Sequence, residues 1–565
     1  MSVTVVGSGP AADALEASLA DIDVAVSTGS PDDLADADLG IVVDVAGSGP
    51  FSRATRVARE SGTPWLAVEL GGVGGYPVVD AAVTGFAPGT ACYECLGTRV
   101  GSNVDPEQEP AAAPEPPVSR VAGAIAGRAA ATVLSGADGP FGQIRELPHA
   151  RRRLLPVPGC RCRHPTERSL ERTTVDRDVE TALAHAEQAL DERVGIVREV
   201  GEAESFPAPY YLAQTCDTTG FSDAQAGQQA AGVSDDWNEA LMKALGEALE
   251  RYAAGVYRTD SFRASENVEN AVEPSAFVRP EWGAPDGPVE WIEGTDLRTD
   301  GDVLLPAELA VYPPFERSIR PAITTGLGLG SGTVGALLSG LYEVVERDAT
   351  VLSWYSTFEP LELTVDDDRF DALAARARSE SLSVTPLLLT QDVDVPVVAV
   401  AVHRTGAWPR FALGTAADLD PNAAARSALA EAVQNWIELR GMGEDGAADA
   451  SGAIGEYAAF PDSARSFIDA AGTVPAGEVG PDAIPSGEDE LDAVVDRCAD
   501  ADLDVYAASL TTPDIDEIGF EAVRVLSPGA QPLFFGESYF GERAESVPES
   551  LGFEPRLDRD HHPFP

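Results

Sequence analysis

The first ninety residues alternate short apolar runs with stretches of helical spacing. Apolar runs occupy residues 2–6, 39–45 and 64–69 and are rich in valine, leucine and isoleucine. The segments AADALEASLA and FSRATRVARE lie between these runs and place apolar residues three and four positions apart. Strands that alternate with helices at this spacing predict a parallel α/β sheet.

The turn after the first run, GSGPAA, contains two glycines and a proline. A glycine-rich turn before a helix can bind phosphate at the helix N-terminus, but no basic residue follows closely here. We therefore interpret this segment as a close-packed strand-to-helix turn, with nucleotide binding as the alternative.

The pattern changes further along the chain. Residues 104–119 are rich in proline, alanine and glutamate, and residues 441–456 and 475–490 are acidic and rich in small residues. These compositions predict loops. After residue 180, strand and helix patterns mix without strict alternation, which is typical of an α+β domain. The sequence thus predicts an α/β domain over residues 1–170 and a larger α+β domain over residues 180–565.

Charge is the strongest feature of the composition. The 565 residues include 93 acidic and 39 basic ones, for a net charge of -54, and Lys243 is the sole lysine. Such a chain repels nucleic acid and anionic membranes, so neither is expected as a partner. Dispersed carboxylates with almost no lysine are typical of a halophilic archaeon, where salt screens self-repulsion; an acidic protein from a GC-rich mesophile is the alternative.

The chain has no apolar run of bilayer length and no signal-peptide pattern at its start. These features predict a cytoplasmic protein. In that compartment cysteines are thiols or metal ligands rather than disulfides.

Four of the six cysteines form two close pairs, 64 residues apart. Cys92 and Cys95 form a C-x-x-C motif, and Cys160 and Cys162 form a C-x-C motif. Four thiolates on two turns suit a tetrahedral structural zinc, and thiol redox chemistry is the alternative. The remaining two, Cys216 and Cys498, are isolated and are expected to be small buried residues.

The pattern L-x-E-x-x-E-R occurs twice in segments of helical spacing, and a third segment, RSALAEAVQNW, has acidic and amide side chains at the same separation. Positions i and i+3 lie on one face of a helix, so each pair could hold Mg²⁺. The flanking apolar residues indicate partial burial, and buried carboxylates need partners or metal; an exposed helix face is the alternative. Lys243 lies one turn before the first pair, which suggests a specific role. The side chains concerned are Glu247, Glu250, Arg251, Glu343, Glu346, Arg347, Glu431 and Gln434.

These segments, in this order, resemble the ATP-binding segments of YcaO-domain enzymes. KALGEALERYAAG, TTGLGLGSGTVGALLSGLYEVVERDA and ARSALAEAVQ carry the resemblance, and SLTTPDIDEIGFEAVRVLSPGAQPL is similar to a late strand region of the family. The final HHPFP resembles the proline-rich terminus of azoline-forming cyclodehydratases. GTPWLAVELGG, TGFAPGTACYECL and the C-x-C motif look like the truncated E1-like (ThiF-like, Rossmann-like) zinc scaffold of SagD-type proteins.

The resemblance implies an ATP-dependent cyclodehydratase that forms thiazoline or oxazoline rings in a ribosomally made peptide, as in bacteriocin biosynthesis. It implies Mg²⁺ at Glu247, Glu250, Glu343 and Glu346, and a nucleotide pocket that includes Lys243, Arg251, Arg347, Glu431 and Gln434. Arg426 would contact phosphate. Pro563 would aim the carboxylate of Pro565 towards the substrate, with a role in proton transfer.

The sequence departs from the family pattern at several positions. Lys243 stands where serine is usual, Val334 and Gly335 stand where acidic residues are common, and His561 replaces a proline of the terminal motif. No winged-helix clamp is found before the first strand, which predicts a separate partner protein for the leader peptide. A homodimer is left open. The alternative functions are thioamidation of a peptide or protein, a non-catalytic docking scaffold, and adenylation by the N-terminal half.

Overall fold

The computed structural model describes residues 1–104, 111–162, 170–265, 269–285, 287–448 and 454–564. Within them, no helix is both long and apolar enough to cross a bilayer.

A seven-stranded sheet, in the order β2-β1-β3-β4-β5-β6-β7, organises the N-terminal part of the described chain. Its strands are β1 Ser2–Val6, β2 Ala25–Thr28, β3 Leu39–Val45, β4 Trp65–Leu70, β5 Ala81–Phe86, β6 Gln143–Leu147 and β7 Ala150–Arg153. The strands from β2 to β4 are parallel, as predicted, but β5, β6 and β7 pair antiparallel. The parallel pairing predicted for the three apolar runs is confirmed in β1, β3 and β4, whereas the sheet becomes antiparallel beyond β4. The reason is that β4 connects to β5 through a short loop, without the crossover helix that parallel pairing needs.

Helices cover this sheet. They are α1 Pro10–Leu19, α2 Gly49–Ser61, α3 Tyr93–Gly101 and α4 Pro116–Leu134. A Cβ added at Gly7 would lie 2.2 Å from the carbonyl oxygen of Val43, so the GSGPAA turn is close-packed, as we interpreted it. The predicted loop at 104–119 is shorter than expected because α4 begins at Pro116; residues 105–110 lie outside the described residues.

Three further sheets build the remainder of the described chain: β10-β9-β8, β11-β12-β20-β21-β14 with β13 beside β12, and β18-β17-β16-β15-β19. All their strand pairs are antiparallel except β15 with β19. The strands are β8 Val197–Glu204, β9 Tyr210–Thr215, β10 Gln229–Val233, β11 Arg263–Ser265, β12 Val289–Asp296, β13 Gly301–Pro306, β14 Leu327–Gly330, β15 Leu361–Thr364, β16 Ser383–Leu388, β17 Val397–His403, β18 Phe411–Ala417, β19 Thr473–Pro475, β20 Tyr506–Ser509 and β21 Glu521–Leu526. The predicted fold class, an α/β part followed by a larger α+β part, is confirmed.

Helices pack against these sheets. They are α5 Val179–Ala186, α6 Trp237–Gly255, α7 Ala307–Ala310, α8 Thr333–Trp354, α9 Asp368–Ser379, α10 Pro421–Ala448, α11 Ile454–Tyr457, α12 Asp462–Phe467, α13 Glu488–Asp500, α14 Pro513–Glu517 and α15 Arg543–Ser550. The loop predicted at 441–456 is wrong at both ends, because helical structure continues to Ala448 across a break at Gly443, whose φ is 72°, and α11 begins at Ile454. Residues 449–453 lie outside the described residues.

Each segment with a carboxylate pair is a helix held by an apolar face. Leu245 and Leu249 on α6 are buried, as are Leu341 and Val345 on α8. Asp236 caps α6, accepting hydrogen bonds from the backbone N–H groups of Asn238 and Glu239. The cores thus set the rotation of α6 and α8, and with it the direction of their glutamates.

The boundary between residues 170 and 180 stays a prediction. The last strand of the first sheet ends at Arg153 and the next helix begins at Val179. Residues 163–169 lie outside the described residues.

Candidate nucleotide and metal sites

The four predicted cysteines meet at one point of the N-terminal domain. Cys92 is the N-cap of α3 and Cys95 lies in its first turn. The Sγ atoms are 3.8 Å apart for Cys92 and Cys95, 3.6 Å for Cys92 and Cys160, and 3.5 Å for Cys95 and Cys162. A tetrahedral zinc with bonds of ~2.3 Å separates its sulfur ligands by roughly 3.8 Å, so the thiol donor set fits a structural metal ion. Cys216 and Cys498 are buried and separate, as expected.

The glutamates of α6 face a cleft beside β10. The Glu247 carboxylate accepts hydrogen bonds from the backbone N–H of Ala231 at 2.9 Å and from Nη2 of Arg251 at 3.1 Å. Glu250 lies 4.0 Å from Nε of Arg251, and the charge of Arg524 also acts on it. Glu247 is therefore held by two hydrogen bonds, whereas the contact of Glu250 with Arg251 is at the limit of an ion pair.

The glutamates of α8 approach the same region. Glu343 Oε2 accepts a hydrogen bond from the backbone N–H of Gly326 at 2.9 Å, and Glu346 Oε1 accepts one from the Thr415 hydroxyl at 2.6 Å. Arg347 lies between them, 3.8 Å from Glu343 and 3.5 Å from Glu346. Glu343 faces the cleft, and Glu346 lies behind it.

The residues of α10 divide into two groups. Glu431 accepts a hydrogen bond from the backbone N–H of Thr415 at 2.6 Å, which places it beside Glu346. Gln434 donates to Glu438 at 3.0 Å. Arg426 instead pairs with Asp367, the N-cap of α9. The structure therefore brings Glu431 to the α8 carboxylates and engages Arg426 with a different acid.

A cleft of about 560 Å³ runs between α6 and α8. Apolar side chains, including Met242, Leu329 and Phe520, line part of it, and polar residues line the rest. The predicted site residues on its wall are Lys243, Glu247, Glu250, Arg251 and Glu343. The Lys243 side chain is exposed to the cleft on one side and surrounded by protein on the others. Loss of solvation by the surrounding protein lowers its pKa, and the carboxylates of Glu239 and Glu431 oppose that shift.

Negative charge is concentrated at this cleft. Burial, opposed by Arg251 and reinforced by Glu343 and Glu247, raises the pKa of Glu250 to about 8. Burial likewise raises the pKa of Glu431 to about 7, although Arg347 favours its charged form. Buried carboxylates whose pKa values rise in this way lack sufficient positive charge, which a divalent cation would supply.

The carboxylates do not close around a single ion. In the described ranges, the four cysteines are the sole group of three or more potential ligands whose donor atoms lie within 4.8 Å of one another. The wider spacing of the glutamates fits Mg²⁺, which commonly uses one or two carboxylates and completes its shell with waters and substrate phosphates.

Sequence reasoning missed the residues that support this site. Arg524 on β21 donates to the carbonyl oxygens of Ile323 and Thr324, both at 2.9 Å, and so holds the loop whose Gly326 binds Glu343. Burial and the nearby Arg320 lower the pKa of Arg524 to about 9. The segment SLTTPDIDEIGFEAVRVL is part of the family resemblance, but no local pattern indicates that its arginine binds a loop 200 residues away.

A second missed group surrounds Lys243. Arg369 on α9 donates to Asp235 at 2.6 Å and to Glu239 at 2.5 Å, and Glu239 also accepts from the Ser234 hydroxyl. The i, i+4 spacing of Glu239 and Lys243 on α6 was the one signal that could have identified an acid near this lysine.

The chain's last described residues pack against α8. Phe564 is 2% exposed, Pro563 is buried, and Pro565 lies outside the described residues. His562 is fully buried, and its Nε2 lies 2.9 Å from the carbonyl oxygen of Phe534. Burial, with His561 and Arg347 adding to it, lowers the pKa of His562 to about 3. Trp354 at the end of α8 donates from Nε1 to the carbonyl oxygen of Asp560 at 2.9 Å, so this segment is attached to α8.

Together the fold and the cleft define a two-domain protein with an acidic, metal-compatible cleft in its larger domain. Residues 231–531 match the family described as YcaO cyclodehydratase, ATP- and Mg²⁺-binding. The chain therefore belongs to the YcaO cyclodehydratase family, and the predicted class of enzyme, an ATP-dependent peptide cyclodehydratase, is confirmed at the level of the family.

Solved structures of heterocyclases share the fold. A heterocyclase described in complex with substrate and cofactor superposes with a TM-score of 0.73 at 21% identity, covering 98% of this chain and 83% of that one. The heterocyclase TruD superposes with a TM-score of 0.68 at 20% identity, covering 98% of this chain and 82% of its own. The N-terminal domain is thus part of the shared fold, as the resemblance to fused E1-like and YcaO domains predicted.

A relative of unassigned function matches more than half of the chain. An uncharacterized protein of Methanothermobacter thermautotrophicus is 28% identical over 334 residues, which are 56% of this chain and 85% of that protein.

Proposed function

We propose that the cleft between α6 and α8 binds ATP with Mg²⁺ and activates backbone amides of a ribosomally made peptide for ring closure. The observation that supports this most directly is the convergence of Glu247, Glu250 and Glu343, from two helices almost 100 residues apart, on one cleft. Membership in an ATP- and Mg²⁺-binding family gives that convergence its chemical meaning.

In this proposal, Glu247, Glu250 and Glu343 hold Mg²⁺, and Lys243 faces the nucleotide phosphates. Glu346 and Glu431 lie behind the cleft, and Arg347 sits among the carboxylates so that they keep their positions when the metal is absent. Arg251 orients Glu247 through their hydrogen bond at 3.1 Å. These are positions from which side chains can neutralise and orient transferring phosphate, which is most of what phosphoryl transfer requires.

Two predicted nucleotide contacts would require a side chain to leave the residue that it binds in this structure. Arg426 would have to exchange Asp367 for phosphate. Gln434 would have to leave Glu438, which also accepts a hydrogen bond from Tyr210. Both roles stay predictions.

The proposed reaction has three parts. A Cys, Ser or Thr side chain of the peptide attacks the preceding amide carbon and loses its proton. The amide oxygen takes the γ-phosphoryl group of ATP, which leaves as ADP. The C–O bond then breaks and the amide nitrogen loses its proton, which releases phosphate and leaves the C=N bond of a thiazoline or oxazoline. Bound Mg²⁺ would supply charge neutralisation to the phosphates, and the chain's own task is to orient the phosphoryl donor against the peptide.

We also propose that the cysteine cluster binds zinc as a structural ion. The sulfur separations of 3.5 to 3.8 Å support this assignment. The partner protein for leader-peptide recognition, a homodimer, a cytoplasmic location and a halophilic source remain predictions from the sequence.

Glu343→Gln tests the nucleotide site. The amide keeps the size of the side chain but removes the charge that would ligate Mg²⁺, so we expect Mg·ATP affinity to fall by more than about tenfold, since even the loss of a ligand's supporting partner costs 10–100-fold. Equilibrium titration with a fluorescent ATP analogue in high salt measures it.

The matched control is Glu549→Gln, the same change at an exposed position of α15. Its affinity should equal that of the wild type. Equal affinity in both variants would reject the assignment of the cleft as the nucleotide site.

A further inference from the structure

A buried network joins the cysteine-bearing helix α3 to the cleft helix α6. Arg99, Asp514 and Tyr252 are each 0% exposed. Arg99 on α3 forms an ion pair with Asp514 on α14, and the Tyr252 hydroxyl on α6 donates to the same Asp514 oxygen at 2.7 Å. Arg99 Nη1 also donates to the Tyr252 hydroxyl at 3.2 Å, which closes the triangle.

One end of this network belongs to the cysteine cluster. Arg99 lies four residues after Cys95, on the same face of α3. Arg99 Nη2 donates to the carbonyl oxygen of Pro156 at 2.7 Å, and the adjacent N–H of Val157 donates to Cys95 Sγ at 3.3 Å. The segment that leads to Cys160 is therefore attached to α3 at two neighbouring points, Pro156 and Val157. A change in the positions of the four cysteines would move this segment relative to α3.

The other end belongs to the nucleotide cleft. Tyr252 directly follows Arg251 and lies five residues after Glu247 on α6. A helix is stiff over so short a distance, about 1.5 Å per residue, so a shift of Tyr252 moves the carboxylates of α6 with it. Asp514 cannot release Tyr252 readily, because its other oxygen is already bound by the Thr512 hydroxyl and the N–H of Ile515.

Separating Arg99 from Asp514 would leave an unpaired charge in the protein interior, at a high cost in free energy. The contacts among Arg99, Asp514 and Tyr252 should therefore form or break together. If the cysteines separate, α3 and the segment at Pro156 lose their common anchor, and Arg99 loses a fixed position. Arg99 also stacks over the rings of Phe221 and Tyr252, at 5.7 and 5.8 Å, so its displacement would disturb α6 directly.

We propose that Arg99, Asp514 and Tyr252 couple metal binding at the four cysteines to Mg·ATP binding at α6. The three are positioning residues and touch neither ligand. The inference rests on the proposed zinc and nucleotide sites. Because coupling is reciprocal, zinc should tighten Mg·ATP binding and Mg·ATP should tighten zinc binding by the same factor.

The test compares two tyrosine variants of the full chain. Tyr252→Phe removes the hydroxyl of the network and keeps the buried ring. Tyr257→Phe is the matched control, because this nearby buried hydroxyl donates instead to the carbonyl oxygen of Pro313. Mg·ATP dissociation constants are measured for zinc-loaded protein and for protein stripped with a chelator.

In the wild type and in Tyr257→Phe, stripping zinc is expected to weaken Mg·ATP binding by about fivefold or more, the lower range of measured coupling. In Tyr252→Phe, the zinc-loaded protein should already bind weakly, and stripping should change little further. A chromophoric chelator gives the reciprocal measurement, as zinc affinity with and without Mg·ATP.

The outcomes separate this inference from the proposed function. Zinc and Mg·ATP that both bind the wild type, but independently, would overturn the coupling and leave both sites standing. Absence of Mg·ATP binding in zinc-loaded wild type would overturn the nucleotide site itself. If stripped protein unfolds, zinc-loaded variants still decide: a Tyr252→Phe affinity equal to that of Tyr257→Phe overturns the inference.

Discussion

Glu247 and Glu250 lie three residues apart on one helix, yet their surroundings differ. Glu247 accepts two hydrogen bonds, whereas the nearest cation to Glu250 is 4.0 Å away. Burial outweighs the opposing charges of Arg251 and Arg524 and raises the pKa of Glu250 to about 8. At neutral pH the metal-free protein keeps much of this carboxyl protonated, and it must lose that proton to bind a cation.

This difference predicts that Mg·ATP affinity rises with pH between about 7 and 9. A carboxyl with a raised pKa ligates metal only after deprotonation, so higher pH favours the binding form, and binding at pH 7 releases a proton. Calorimetry in two buffers of different ionisation enthalpy measures that proton. The Glu250→Gln variant should bind more weakly and show no such release; an affinity independent of pH in the wild type would contradict the assignment.

At the scale of elements, α8 reaches the cleft because glycines let it approach β14 and β21. A Cβ on Gly340 would lie 2.6 Å from the carbonyl oxygen of Gly326, whose own N–H holds Glu343. Gly326 has φ +90°, and a Cβ there would lie 2.1 Å from the carbonyl oxygen of Val525. Close helix-to-strand packing and the position of a proposed metal ligand therefore depend on the same glycines.

The pair Gly340→Ala and Gly335→Ala tests this packing on one helix. We expect Gly340→Ala to lower the free energy of unfolding by about 1–3 kcal/mol, because the added methyl group overpacks the helix–strand contact, and to weaken Mg·ATP binding. At Gly335 the nearest atom to an added Cβ is 3.9 Å away, so Gly335→Ala should stabilise by about 0.5–1 kcal/mol through helix propensity. Urea unfolding in high salt measures both; similar effects at the two positions would refute the packing argument.

At the scale of the whole molecule, the negative net charge destabilises the folded state. A net charge of -54 on 565 residues is self-repulsive. Many arginines already neutralise acids locally, as Arg543 does between Asp348 and Asp392. The remaining repulsion can be reduced only by counterions.

We therefore expect the protein to gain stability with salt. The Debye length falls from about 10 Å at 0.1 M salt to about 3 Å at 1 M, so repulsion between surface carboxylates weakens. We expect Tm to rise by at least about 2 °C, which is the shift that 1 kcal/mol of added stability gives in a large domain. Circular dichroism melts in NaCl measure it. Sorbitol at equal osmolality is the control for general solute effects, and an unchanged or lower Tm in NaCl would contradict a screening origin.

Local patterns in the sequence predicted two helices, α6 and α8, whose glutamates line one cleft, and the cysteines that lie together. Glu247 with Glu250, Glu343 with Glu346, and Cys92 with Cys95 are local patterns, and a spacing of three residues is readable because a helical turn or a tight turn enforces it. Strands β1, β3 and β4 could likewise be predicted from their apolar runs. The antiparallel pairing of β5 and the helical structure over residues 441–448 were not predicted, because both depend on connections rather than on composition.

Tertiary structure alone decided which polar groups meet. Glu346 finds Thr415 69 residues away, and Arg99 finds Asp514 415 residues away. Arg426 carried the same positive charge in the sequence as Arg524, yet the first is paired with Asp367 and the second holds the loop before β14. Hydrophobic periodicity shows which face of a helix or strand is buried. Long-range packing decides which residue lies opposite that face. For a charged side chain, that neighbouring residue determines whether the group is neutralised or able to bind a ligand.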